Sequence, residues 1–478
     1  MEATEVVRPA VLVRAAAAFA IGTLTIGCIT VGPDYARPQI PTPPQYRFVE
    51  GNAQAQSLAD APWFQVFDDP TLQALIHEAL ANNLDLQGAV ARVEQARARA
   101  GIAKSFFYPQ VDAVARYGVR QASSTSTEFS GDTSDESVHQ SATYGFQLSW
   151  EIDLFGRLRR QHEAAVALLL ASEQGRRGVL VTLVGDVASN YFRLRELDLQ
   201  LEIGRQTLRI NDETVTYFRN RLEGGVSNRL ELDRIQALRA DTAAQIATIE
   251  IEIATTEDDL SLLLGHPPGP VARERLGDRE APPPPIPPGL PTSLVERRPD
   301  IMQAEQQLVA ANADIGAAKA LFFPTISLTG FLGGVSGDLT SFLGGEGAVW
   351  SVTPSLLQPI FQGGRLRRNL ELMQASYNEA VAVYRKAALN GYREVSNTLI
   401  TIQKLADVRA ERQLGVTALA DASDLARSRY DSGLASYIEI LTADQDLFQQ
   451  QLLLAQVRGD ELRARAELYR TLGGGWQP

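Results

Sequence analysis

The sequence contains almost no cysteine and few histidines, and both shortages exclude whole classes of site. Its single cysteine, Cys28, cannot form an intramolecular disulfide. Its four histidines are scattered along the chain and show none of the spacings of a metal site: His77, His139, His162 and His266. The glycine-rich segments lack the lysine of a phosphate-binding P-loop. We therefore predict that the protein is not an enzyme and that it binds no cofactor or metal.

Positive charge is also in short supply. The chain has 45 Lys and Arg against 57 Asp and Glu, a formal net charge of −12. A protein that binds nucleic acid needs a basic face to neutralise phosphates. This balance therefore argues against nucleic acid as a partner.

The chain lacks a membrane-length apolar run near its start. The apolar stretch Ala15–Gly27 follows Arg8 and Arg14 and has 13 residues, whereas a membrane-spanning helix needs about 20. A shorter run of this kind fits the hydrophobic region of a signal peptide.

The end of this run indicates a lipid anchor. Leu24–Cys28 resembles a bacterial lipoprotein signal, with small Gly27 before the cysteine. We therefore predict a signal peptide at 1–27 and an N-acyl and S-diacylglycerol lipid on Cys28. An ordinary signal peptide with an incidental cysteine is the alternative. A lipoprotein retained in the inner membrane would be expected to have Asp directly after the lipidated cysteine. This chain has Ile29 there, which favours the outer membrane.

Proline is missing from two very long segments. None occurs between Pro109 and Pro267, and none between Pro359 and the terminal Pro478. Apolar residues recur there at helical spacing, and glycines interrupt the pattern at Gly224, Gly225 and Gly433. We predict two long helical hairpins, at about 156–265 and 363–472, with their tips at these glycines. A shorter helical pattern, Leu72 to about Phe107, is ended by Pro109.

Period-two patterning occurs at four places. Apolar residues alternate with Ser, Thr, Gln and other polar residues at about 110–122, 140–152, 325–334 and 348–358. A tilted strand of about 10 residues crosses a bilayer. Since one face would meet lipid and the other water, we predict four transmembrane β-strands. Four strands of a soluble sheet are the alternative.

The two halves of the chain repeat each other. Gly101–Pro109 returns in the second half as Gly316–Pro324, and Phe155–Arg160 returns there as Gly363–Arg368. A repeat that takes up nearly half of the chain indicates a duplicated domain rather than a short solenoid unit. We place an extended arm at 28–68, the first repeat at 69–266, a proline-rich linker at 267–291 and the second repeat at 292–478.

Four strands in one chain cannot close on themselves in lipid. An open edge leaves backbone N–H and C=O groups unpaired, at a cost of several kcal/mol each. Two copies would give eight strands with an interior filled by side chains, and three copies would give twelve strands with a lumen. We therefore predict an oligomer.

An ordered set of short motifs resembles the TolC-like outer membrane factors, in particular efflux lipoproteins of the NodT type. The motifs span most of the chain after the signal peptide: Cys28 with Val31–Tyr35 and Arg37–Pro38, Trp63–Phe64, Phe106–Pro109 and Leu321–Pro324, Asp153–Gly156, Arg297–Asp300, Pro359–Gly364, and Tyr430–Thr442.

The resemblance implies a membrane protein of mixed α/β class, with two structural repeats of two transmembrane β-strands plus a long α-helical hairpin. It implies a homotrimer whose 12-stranded β-barrel lies in the outer membrane and joins a periplasmic α-barrel. Such proteins are the exit ducts of tripartite efflux pumps. Their partners are a periplasmic adaptor (membrane fusion) protein and an inner-membrane RND transporter, and they conduct small molecules or drugs passively to the exterior.

The resemblance also implies a periplasmic gate near the second hairpin tip and adaptor contacts at both tips. The gate positions fall on Ile438, Glu439 and Thr442. Thr442 stands where the family usually has Asp, and Asp444 lies roughly 200° further around the helix, so it does not substitute directly.

Two other functions stay open on the sequence. One is the outer membrane channel of a type I protein secretion system. The other is a periplasmic adaptor lipoprotein, although an adaptor would carry one hairpin rather than two hairpins and paired strands.

Overall fold

The protein divides into two compact units. In the computed structural model the described residues are 30–44, 46, 69–121, 138–273, 294, 296–337 and 347–474. The strand unit comprises Met1–Pro38, Glu94–Leu170 and Glu305–Ala382, and the hairpin unit comprises Gln39–Val93, Ala171–Ala304 and Val383–Pro478. The predicted signal peptide, Cys28, and most of the arm and linker lie outside the described residues.

Each repeat contains two strands and a pair of long helices. The first repeat holds α1 (Pro70–Asn82), α2 (Leu84–Ser105), β1 (Gln110–Gln121), β2 (Val138–Ile152), α3 (Arg157–Glu223) and α4 (Arg229–Leu264). The second holds α5 (Pro299–Ala320), β3 (Thr325–Ser336), β4 (Ala348–Leu357), α6 (Arg365–Asp431) and α7 (Tyr437–Thr471). The predicted fold class is thereby confirmed at the level of one chain. None of the helices within the described residues combines the length and hydropathy that crossing a bilayer requires.

The repeat seen in the sequence returns in the lengths of the helices. Helices α2 and α5 each have 22 residues, and α3 and α6 each have 67 residues. The connection between the paired strands differs, since it is shorter in the second repeat, and β2 with 15 residues is longer than β4 with 10. The same backbone plan is therefore used twice.

The strand unit contains one antiparallel sheet in the order β1-β2-β3-β4. Its register aligns apolar with apolar residues, since Phe146 lies opposite Leu332, which lies opposite Trp350. The polar row Ser149, Thr329 and Thr353 is aligned in the same way. Because opposed residues share a face of the sheet, one face is apolar and the other is mostly polar, with Phe331 as an exception opposite Gln147 and Ser351. Phe146, Leu332 and Trp350 are all exposed in the single chain.

Two features of the sheet follow from residue type. Pro354 lies in β4, an edge strand of the single-chain sheet, where a missing N–H is tolerated. Gly333 lies so close to β2 that a Cβ added to it would be 2.0 Å from the carbonyl oxygen of Tyr144. Only glycine fits at that crossing.

The helical pattern from Leu72 to about Phe107 forms two helices, α1 and α2, which are separated at Asn83. Asn83 is extended, with φ −60° and ψ 128°. Its buried side chain accepts from the Leu86 N–H at 2.9 Å and donates to the Leu263 carbonyl at 3.0 Å. The Asn83 amide thus caps α2 and ties it to α4. These hydrogen bonds stabilise the break more than a continuous helix would be stabilised at this point.

The core of the hairpin unit lies where α1 packs against the long helices. Asp69 starts α1 by accepting from the N–H groups of Thr71 and Leu72 at 2.9 and 3.0 Å, and from the hydroxyl of Tyr191 at 2.7 Å. Behind this cap lies an apolar cluster of buried residues from α1, α3, α4 and α7, including Leu72, Ile76, Val187, Leu194, Leu260, Leu264 and Tyr469. One N-cap residue therefore also anchors α1 to α3.

The N-terminal arm is fastened to the strand unit by charged groups. Arg37 donates to both carboxylate oxygens of Glu305 at 2.6 and 2.7 Å, and Asn312 donates to the Pro33 carbonyl at 3.0 Å. Arg160 reaches Asp34 at 3.0 Å. The arm motif that suggested the family thus has a structural role, which is to bind the arm to α3 and α5.

We expect Asn83→Ala to destabilise the hairpin unit by roughly 2 kcal/mol, because it removes the cap of α2 and leaves the partly buried Leu263 carbonyl without this donor. Urea unfolding of the purified protein, followed by circular dichroism at 222 nm, measures the change. Asn82→Ala is the matched control, since Asn82 is adjacent but exposed. Equal stability of the two variants would contradict the assigned role of Asn83.

Candidate functional site

The first hairpin turns at Gly225, which has φ +74°. The Val226 N–H donates to the Arg221 carbonyl at 2.9 Å, and the Gly225 N–H donates to the Leu222 carbonyl at 3.0 Å. These two bonds form a Schellman motif, which needs a left-handed residue and so favours glycine. Gly224 precedes that residue and retains a helical bond to Asn220.

The second hairpin turns in the same way at Gly433, with φ +73°. Here the Leu434 N–H donates to the Arg429 carbonyl at 2.8 Å, and the Gly433 N–H donates to the Tyr430 carbonyl at 2.8 Å. All three predicted tip glycines therefore lie at the two turns. Val226 and Leu434 follow the turn glycines and expose apolar side chains at both tips.

An aromatic cluster joins the two hairpins just below their tips. The rings of Phe218 and Tyr437 lie 4.2 Å apart, and the rings of Tyr430 and Tyr437 lie 5.4 Å apart. Buried Ile235 and Ile440 complete the contact. Burial raises the pKa of the Tyr437 phenol to about 12. The sequence analysis missed this cluster, although Tyr437 and Ile440 are three residues apart, a helical spacing that was a usable signal.

The three predicted gate residues lie on the exposed side of α7. Ile438 is exposed, Glu439 is about half exposed, and Thr442 is exposed. Since each residue of a helix advances by about 100°, the three side chains lie within an arc of about 100° on one side of α7. Their neighbours Tyr437 and Ile440 point into the aromatic cluster. The structure therefore places the three residues together, on a surface that the single chain does not cover.

Glu439 has a partner within its own hairpin. Its Oε2 lies 3.4 Å from Nε of Arg429, and both side chains are about half exposed. Such an exposed pair contributes about 1 kcal/mol at most. It ties the start of α7 to the end of α6 without locking it there.

Asp444 is held away from this exposed set. It accepts from the Ser423 hydroxyl, and its Oδ2 lies 2.9 Å from Nη2 of Arg427. Both partners are on α6. The interpretation that Asp444 cannot replace the missing gate aspartate therefore agrees with its contacts.

The matching glutamate in the first hairpin, Glu231, is held differently. It accepts from the Ser227 hydroxyl at 2.6 Å, and its N–H donates to Asn228 Oδ1 at 3.0 Å. In the second hairpin the N-cap residue Ser436 makes no side-chain capping bond among the described residues. Local hydrogen bonds thus fasten the first tip more firmly than the second.

Within the described part of the chain, no group of three or more His, Cys, Asp or Glu side chains is placed to hold a metal ion. The tips contain apolar side chains, exposed ion pairs that include Arg229–Asp233 and Arg429–Glu439, and an aromatic support. This arrangement can contact another protein or narrow an opening.

The chain is similar along nearly its whole length to named outer membrane proteins. It is 34% identical over 452 residues to the "Probable outer membrane lipoprotein SilC" of Salmonella typhimurium, covering 94% of this chain and 96% of SilC. It is 34% identical over 468 residues to the solvent efflux pump outer membrane protein SrpC of Pseudomonas putida, covering 95% and 97%.

A solved structure shares the fold. The crystal structure of CusC matches with a TM-score of 0.82 at 32% identity, covering 93% of this chain and 99% of that one. CusC of Escherichia coli O6:H1 is named a cation efflux system protein and is 33% identical to this chain over 461 residues.

The family described as outer membrane efflux protein matches residues 75–266 and 290–474. The two matched segments coincide with the two repeats, and together they cover most of the chain. The resemblance drawn from the motifs is confirmed, and the protein belongs to the outer membrane efflux protein family.

Proposed function

We propose that this outer membrane efflux channel is the exit duct of a tripartite pump and acts without catalysis. It conducts small molecules passively from a periplasmic pump–adaptor assembly to the exterior. The observation that carries the proposal is the sheet register, which gathers apolar residues on one face and mostly polar residues on the other across the four strands. Such a sheet can separate lipid from a watery passage.

The duct is a homotrimer. Strands β1 and β4 are the edges of the single-chain sheet, and edges in lipid need partners. Three copies supply twelve strands, enough to close a barrel around a lumen. The paired helices of the six repeats then form the periplasmic part.

The hairpin tips bind the periplasmic adaptor, which links the duct to an inner-membrane RND transporter. Val226 and Leu434 support this assignment, since each exposes an apolar side chain beside a rigid turn at Gly225 or Gly433. Exposed apolar side chains at the end of a helical hairpin are available for contact with another protein.

Ile438, Glu439 and Thr442 form the periplasmic constriction. Ile438 supplies an apolar ring, and Glu439 supplies an acidic ring whose like charges repel across a narrow axis. The ion pair with Arg429 holds each Glu439 in its own hairpin. Movement of α6 and α7, whose tip is fastened less firmly than the other, opens the constriction.

The cargo is a small molecule or ion chosen mainly by the inner-membrane transporter. SrpC is named for a solvent pump, whereas CusC is named for a cation system. Chains of one fold thus serve different cargoes. Cys28 carries the lipid that anchors the arm to the outer membrane, as the lipoprotein name of SilC supports.

Deleting the gene should raise the accumulation of a fluorescent efflux dye in cells that normally express the protein, because the pump loses its exit. Reintroducing the wild-type chain should restore export. Culture-medium proteins should stay unchanged. Unchanged dye accumulation together with loss of a secreted protein would contradict the efflux proposal and favour protein secretion.

Glu439→Ala should raise open probability in planar bilayers by up to about fivefold, since an exposed ion pair contributes ~1 kcal/mol at most. It should also weaken block by added divalent cations. Glu231→Ala is the matched control at the equivalent position of the first hairpin. An equal effect of the two substitutions on open probability would count against a gate at Glu439.

Cys28→Ser should abolish incorporation of labelled palmitate and leave an unprocessed precursor that migrates more slowly on gels. Wild-type protein from the same cells is the control. Palmitate labelling that survives the substitution would show that the lipid is attached elsewhere.

A further inference from the structure

The strand unit contains a tight contact between its two repeats. Arg160 of α3 lies across Gly316 of α5, so closely that a Cβ added to Gly316 would be 2.8 Å from Cγ of Arg160. The Arg160 side chain is only 5% exposed, and its Nη1 lies 2.9 Å from Glu163. We call Gly316 and the α5 surface around it the filled socket.

Small side chains continue this contact along the two helices. Ala164 and Ala167 of α3 pack with Ala310 and Ala313 of α5, and all four are buried. With Arg160 and Gly316 they form one strip in which α3 lies against α5. The strip is one part of the internal boundary between the first and second repeats.

The duplication places a matching pair of surfaces on α2 and α6, and in the single chain both surfaces are exposed. The counterpart of Gly316 is Gly101 on α2, and among the described residues nothing lies within 4 Å of a Cβ built there. The counterpart of Arg160 is Arg368 on α6, whose side chain is 81% exposed. We call Gly101 and the α2 surface around it the empty socket.

Arg368 makes the same local ion pair as its buried counterpart, Arg160. It pairs with Glu371 at 2.6 Å, as Arg160 pairs with Glu163 at 2.9 Å. One turn further on, Leu372 occupies the position equivalent to Ala164 and is 57% exposed. An exposed leucine beside an exposed arginine stem offers apolar surface for burial.

We propose that a second copy of this chain fills the empty socket: Arg368 of one copy lies across Gly101 of the next. Leu372 and Ala375 of that copy then pack against Gln95 and Ala98, in the places of the four alanines of the internal strip. The inference rests on the proposed homotrimer and specifies its contact. Repeating it three times alternates internal and intermolecular strips around one axis.

The two contacts differ in one respect. Asp34 of the arm caps Arg160 at 3.0 Å, and the Val31 carbonyl accepts from its Nε at 3.4 Å. A chain has one arm, so Arg368 lacks this second layer. The intermolecular contact therefore depends more on the fit at Gly101 and less on charge than the internal one does.

Cysteine pairs test the contact directly. Two differently tagged full-length chains are co-expressed, one carrying Ala98→Cys and the other Ala375→Cys, and membranes are oxidised or treated with a short thiol cross-linker. We expect a cross-linked dimer containing both tags. The control replaces Ala375→Cys by Ser376→Cys, which lies about 100° around the same helix and should cross-link at least severalfold less.

Bulk at the empty socket provides a second test. Gly101→Leu should lower the yield of assembled oligomer severalfold while leaving the helical circular dichroism signal unchanged, whereas Gly101→Ala should reduce it much less. A wild-type oligomer with no preferential Ala98–Ala375 cross-link and a normal Gly101→Leu assembly would overturn this contact and leave the proposed function intact. A wild-type protein that is monomeric in membranes would overturn the trimer and this contact together.

Discussion

The backbone hydrogen bonds at the two edges of the sheet are the constraint on which the rest of the structure depends. β1 and β4 each have one neighbour within the chain, and lipid offers no other partner for their free N–H and C=O groups. In the proposed channel these edges pair with other copies of the chain. This requirement explains why one chain can carry a lipid-compatible apolar face and a polar face and still be an incomplete channel.

The duplication matches this constraint, since one backbone plan supplies both an internal boundary between repeats and the surface that other copies cover in the proposed trimer. The equal lengths of α2 and α5, and of α3 and α6, show how closely the plan is kept. The two repeats differ in the contacts at their hairpin tips. The Glu231 carboxylate is held by Ser227 and its N–H by the Asn228 side chain, whereas the carboxylate of its counterpart Glu439 is in an exposed pair with Arg429 and its N–H bonds to the Ser436 carbonyl. Two turns of the same geometry thus differ in how firmly they are held.

Much of this could be predicted from the sequence because the signals are local. Alternation of apolar and polar residues marked the strands, and glycines within proline-free segments marked the hairpin tips. What could not be predicted depends on distant partners. The break at Asn83 is stabilised by the Leu263 carbonyl, far along the chain, and the Glu439–Arg429 pair forms only once the turn at Gly433 exists. The support of the tips by Phe218 and Tyr437 likewise requires two hairpins to meet. The gate and lipid assignments to Glu439 and Cys28 remain predictions.

The central claim is that the chain is complete only as a trimer, and counting the copies tests it most directly. Native mass spectrometry of the protein released from lipid nanodiscs reports the number of chains in each particle. The account predicts three copies in the dominant species, with no stable monomer or dimer. A dominant single-chain or two-chain particle that retains its folded sheet would contradict it.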